Sequence, residues 1–88
     1  MNEQKPSNNA TTVKWHQVPG DTVFSTEVAK HKYFGDVGYL YKEGHKSWIG
    51  IYICENGDEM ESTFDASIFA KKWIRMHLHR EITEGREV

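Results

Sequence analysis

From Val13 to about Phe64, apolar and polar side chains alternate with a period of two; beyond Phe64 the period lengthens to about 3.6. The first regime predicts strands. Val13, Trp15 and Gln17 alternate with Lys14, His16 and Val18, and Pro19-Gly20-Asp21 follows with turn chemistry. Thr22 to Ala29 is rich in β-branched residues and reads as extended, whereas polar Lys30 to Lys32 reads as a loop. Val37 to Lys42 is the next strand, closed by Glu43-Gly44-His45-Lys46. In Ser47 to Cys54, Ile49, Ile51 and Ile53 share one face, and Trp48, Gly50 and Tyr52 share the other. Asn56-Gly57 predicts a type I′ hairpin turn, which needs positive φ at both central residues, and Glu59 to Phe64 returns.

The second regime predicts one helix ending near Ile82, capped by Asp65 or Ser67 through a hydrogen bond to a free backbone N–H of its first turn. Phe69, Ala70, Trp73, Ile74 and His77 fall on one stripe, predicted to be buried. Lys71, Lys72, Arg75 and His79 fall on the opposite side, with no acidic residue between Ala66 and Arg80. The helix is expected to lie across the isoleucine face. The predicted fold is therefore α+β: a small antiparallel sheet of three to five strands with one C-terminal amphipathic helix packed on one face. That single domain spans residues 13–82. Residues 1–12 carry no large apolar side chain after Met1 and are expected to form a disordered tail, with a frayed tail at 83–88.

Composition narrows the function without naming it. The 88 residues allow one domain, and 38% hydrophobic content is enough for a core. A formal net charge of −2 announces no global basic field. Cys54 stands alone, so no internal disulfide framework exists, which fits a reducing, cytoplasmic setting. No apolar run approaches the roughly 18 residues of a membrane span, and the polar N-terminus does not read as a signal peptide.

Candidate chemistry is sparse. His77 and His79 are two apart on a helix and point about 200° from each other, so they cannot share one ion, and no HxxxH or CxxC pair exists. Cys54 lies beside Glu55, which raises a thiol pKa and favours a packed or edge thiol over a nucleophile. Glu55, Asp58, Glu59, Glu61 and Asp65 flank a tight turn, where charges protect an edge strand. No phosphate-cradling glycine motif is present. The sequence thus predicts no catalysis, no cofactor and no metal.

Two surfaces remain. With the isoleucines under the helix, Trp48 and Tyr52 emerge on the open sheet face, joined there by Tyr39 and Tyr41 as protein-binding candidates. Lys71, Lys72, Arg75, His79 and Arg80 form a positive helix stripe, the nucleic-acid-binding candidates. The first surface predicts a regulatory or inhibitory protein-binding module, phage-like in type, acting by surface occlusion and as a homodimer. The second gives the alternative to that leading reading, a nucleic-acid-binding accessory domain. Three antiparallel strands followed by a helix, with Trp48 in the central strand, Phe64-Asp65 at the junction and Ala70 with Trp73 inside the helix, resemble the small DNA-binding domains of the phage-integrase arm-binding and plant AP2 type. The resemblance covers roughly residues 33–80. It implies a sheet-plus-helix fold that reads DNA with basic residues on its exposed sheet face. Here the third strand departs from the pattern, offering Glu59 and Glu61, which repel phosphate.

Overall fold

The computed structural model describes residues Thr11 to Glu87. The tail expected at 1–12 thus falls almost wholly outside the described residues, as does Val88. Five strands, β1 (Val13–Gln17), β2 (Glu27–His31), β3 (Gly35–Gly44), β4 (Ser47–Ile53) and β5 (Glu59–Phe64), precede one helix, α1 (Ser67–Thr83). The strands form one antiparallel sheet in the order β1-β2-β3-β4-β5, each paired with its neighbour in sequence, and α1 packs across one face. This is the α+β architecture that the two hydrophobic periods predict, at the upper end of the expected strand count.

Register fixes which side chains lie under the helix. Leu40 pairs with Gly50, Gly38 with Tyr52 and Trp48 with Phe64, and directly opposed residues share a face. Gly50 and Gly38 are the close-approach points. A Cβ at Gly50 would meet Ala70 Cβ at 3.3 Å, and one at Gly38 would meet Ile74 Cγ2 at 3.0 Å. Tyr52, Leu40, Val37, Ile74 and Leu78 are fully buried, each contributing roughly 1.5–3 kcal/mol of transfer free energy.

The expectation that Ile49, Ile51 and Ile53 face the helix is therefore overturned: they point to the other side. Ile49 and Ile51 are nonetheless buried, at 3% and 5% exposure. Tyr41 and Thr63 flank Ile49, while Tyr39 and Glu61 flank Ile51. The Tyr39 hydroxyl on β3 donates to Glu59 Oε1 on β5 at 3.3 Å. To span that gap the Tyr39 side chain reaches across β4 beside Ile51.

Other local expectations change as well. The buried helix positions are Ala70, Ile74 and Leu78, spaced by four, with Trp73 and His77 half-buried beside them, while Phe69 is 53% exposed. The N-cap is Ala66, and neither Asp65 nor Ser67 makes the cap hydrogen bond. Residues 22–26 are loop rather than strand. Asp21 organises that loop by accepting from the backbone N–H groups of Phe24 and Thr26 at 3.0 Å; the Thr26 side chain, with these backbone bonds, holds its carboxyl below the usual range. Lys30 and His31, expected in a loop, complete β2. At the β4–β5 hairpin only Gly57 has positive φ (95°), and its N–H donates to the Cys54 carbonyl at 2.9 Å. That geometry is a type I turn with a glycine bulge, not a type I′ turn.

Within the stretch expected to fray, Arg86 makes contacts back to the domain. Arg86 Nη1 donates to the Tyr52 hydroxyl at 3.0 Å and to Glu81 Oε1 at 2.9 Å, and its guanidinium lies 4.2 Å from the Phe34 ring centroid. Tyr52 donates to the same Glu81 oxygen at 2.7 Å, and the Glu55 N–H also donates to this carboxylate. Burial and the Glu81 charge push the Tyr52 hydroxyl far above its ordinary range. The Glu81 carboxyl is held low by the hydrogen bonds from Tyr52 and Glu55 and by Arg86, although burial opposes them.

Candidate nucleic-acid interface

The four aromatic candidates divide between the two faces of the sheet. Tyr52 is fully buried beneath α1, stacked on His77 at 5.6 Å, and cannot anchor a partner. Trp48 lies on the same face at its far end, half-buried, with Lys42 Nζ 5.9 Å from its ring. Only Tyr39 and Tyr41 occupy the open face, where Phe24 meets the Tyr41 ring edge-on at 6.3 Å. Burial and the nearby Glu59 raise the Tyr39 pKa. The four rings therefore do not form one surface.

The cationic candidates stay closer together, with one exception. Lys71 turns toward the sheet, where its Nζ pairs with Glu27 Oε1 at 3.0 Å and lies 5.2 Å from the Trp15 ring. Lys72, Arg75, His79 and Arg80 face outward and, with Thr11, Met76 and His77, line a hollow of about 430 Å³. Arg80 Nη2 lies 3.2 Å from His77 Nδ1. Burial and the Arg80 charge lower the His77 pKa, so a neutral imidazole accepts this bond.

A second cationic group escaped the sequence pattern. Antiparallel pairing of β1 with β2 sets Lys14 opposite Lys30, on the face away from the helix. Lys14, Lys30 and Lys32, with His16, His31 and Thr12, line a hollow of about 580 Å³. Like charges directly opposed across strands are unfavourable. Asp36, 2.7 Å from Lys30 Nζ, relieves this pair in part. No stretch of sequence signals the group, because its members lie on two strands; laying Val13–Gln17 against Glu27–His31 reveals it.

The two groups meet at the sheet edge. A smaller hollow of about 330 Å³ is lined by Thr11, Thr12, Val13 and Arg75. It shares Thr11 and Arg75 with the helix-side hollow and Thr12 with the open-face one. Among the described residues no carboxylate lines any of the three, whereas six of the chain's eleven Lys and Arg residues do. The carboxylates Glu59 and Glu61 belong to β5, the opposite edge, four strand spacings or about 19 Å away.

Among the described residues no three His, Cys, Asp or Glu side chains gather to hold a metal ion. Burial, with Glu81 and Asp58 nearby, pushes the Cys54 thiol up and leaves little thiolate for nucleophilic chemistry. No described helix is long and apolar enough to cross a membrane. No family model, curated protein or solved structure matches the chain.

Proposed function

We propose that this protein is a non-enzymatic accessory domain that binds nucleic acid through the outer face of α1. The observation that carries this reading is the pairing state of the helix cations. Lys72, Arg75 and His79 project outward with no ion-pair partner among the described residues. The one carboxylate within the helix, Glu81, is drawn toward Tyr52 and Arg86. A local field of one sign attracts phosphate even on a protein of slightly negative net charge. Lys71, spent on Glu27 and Trp15, supports the fold rather than the contact.

An electrophoretic mobility shift at low salt tests the proposal. Lys72→Glu with Arg75→Glu abolishes the shift while thermal unfolding stays near wild type. A shift unchanged in that folded double variant refutes the reading.

A second reading, a regulatory protein-binding or self-associating module, rests on the open face. Phe24 and Val23 are exposed beside Tyr41, but burial of Tyr52 and displacement of Trp48 leave it fewer anchors. Size-exclusion chromatography of Tyr41→Ala with Phe24→Ala tests it. A monomeric wild type that captures no partner from a lysate removes this reading.

A further inference from the structure

We infer that the nucleic acid is single-stranded and wraps the β1 edge, from the helix side to the open face of the sheet. This inference rests on the nucleic-acid reading above and names the form of the ligand. Its starting point is that the cationic surface does not end at the helix. Arg75 and Thr11 belong to both the helix-side hollow and the edge hollow, and Thr12 carries the track onto Lys14 and Lys32.

The two ends of that track lie on opposite faces of one sheet, because Trp15 faces Lys71 of the helix while its neighbour Lys14 points away. A ligand touching both ends must reverse direction around a single edge strand. Duplex DNA has a persistence length of about 50 nm, and even a moderate bend over 20–30 base pairs costs on the order of 1–6 kcal/mol. It cannot make this turn. A single strand can, and its exposed bases gain a further contact. On the open face β1 and β2 lead to β3, where Val28 pairs with Tyr39 and the Tyr41 ring sits within 6.3 Å of Phe24. Phosphates on the lysines and bases against Tyr41 and Phe24 match the usual division of labour in sequence-tolerant single-strand binding.

Lys14 fits this role, since a phosphate beside it offsets what Asp36 leaves of its repulsion with Lys30. Lys30 already holds Asp36, so the track offers about five phosphate contacts: Lys14, Lys32, Lys72, Arg75 and Arg80. At a slope of about −0.7 per contact for single strands, log K falls against log salt with a slope near −3.5, roughly a 100-fold loss between 50 and 200 mM salt.

Fluorescence anisotropy with the full 88-residue chain tests this. The probes are a mixed-sequence DNA dodecamer and the same dodecamer annealed to its complement. The expected result is tighter binding of the single strand than of the duplex, with the slope given above. Lys14→Gln with Lys32→Gln lowers that slope by about 1.4 units, and thermal unfolding confirms the variant's fold. Three outcomes overturn the wrap. The duplex binds as tightly as the single strand, or the Lys14/Lys32 variant keeps the wild-type slope, or neither probe binds. In the first two, Lys72→Glu with Arg75→Glu still abolishes binding and the helix-face reading survives; in the third, both fall.

Discussion

Gly38 lies where β3 passes beneath α1, with a Cβ-sized gap already closed on two sides. A methyl group there would sit 2.6 Å from the Ile51 carbonyl oxygen and 3.0 Å from Ile74 Cγ2. The oxygen belongs to the β3–β4 ladder and cannot retreat without disturbing the pairing of Gly38 with Tyr52. Overpacking of this kind costs about 1–3 kcal/mol, and a rigid backbone obstacle places Gly38→Ala at the upper end. Alanine recovers about 0.5–1 kcal/mol through its lower backbone entropy loss. The net cost is about 2 kcal/mol, a fall in Tm of about 8–16 °C for a domain of this size. Gly50→Ala is the internal control. Its Cβ would meet a Phe64 ring edge at 3.1 Å and Ala70 Cβ at 3.3 Å, and the ring can tilt aside. Its net cost should stay within about 1 kcal/mol. Thermal unfolding followed by circular dichroism compares the two. Gly38→Ala melting within about 3 °C of wild type, or Gly50→Ala melting lower, refutes the placement of the helix on this face.

Other substitutions probe the remaining assignments. Leu78→Ala should destabilise by about 2–5 kcal/mol in urea unfolding, whereas Phe69→Ala should cost under about 1 kcal/mol, because Leu78 is fully buried and Phe69 is not. Lys71→Ala should lose about 0.5–1 kcal/mol of stability, a partly screened ion pair and a ring contact, while leaving the salt slope of nucleic-acid binding unchanged. The Glu81 carboxyl is held below its unfolded value, so its contribution is complete above the ordinary glutamate range and disappears as pH falls through the folded pKa. The stability gap between wild type and Glu81→Gln should therefore hold steady from pH 7 to 6 and narrow in acid; a gap that widens contradicts this. Cys54, its thiol pushed up, should react with iodoacetamide at neutral pH several-fold more slowly than in the urea-unfolded chain.

The two hydrophobic periods made the elements and layers legible, because a half-buried strand and a one-sided helix each leave their own repeat. They could not decide which face of β4 lies beneath the helix, since Ile49-Ile51-Ile53 and Trp48-Gly50-Tyr52 both read as buriable. What decides it is room. A helix axis comes close to the sheet only where side chains are absent, and Gly38 and Gly50 provide that seat together. On the far side the Tyr39 side chain reaches across β4 beside Ile51. Four of the five helix cations were visible as an outward face, while Lys71 went astray because Glu27 waits for it on a strand 44 positions earlier. Lys14, Lys30 and Lys32 were invisible as a group, since register alone brings them together.

The pairing of each strand with its immediate successor has a kinetic consequence. Three of the four hairpins close loops of two to five residues and the β1–β2 loop has nine, so the entropic barrier to assembling the sheet is low and folding should be fast for a β-rich chain. The helix, however, is encoded after all five strands, so on the ribosome Leu40 and Tyr52 must wait uncovered until it emerges. That nascent interval, more than the finished molecule, is where a chaperone or an aggregating neighbour would find an opening.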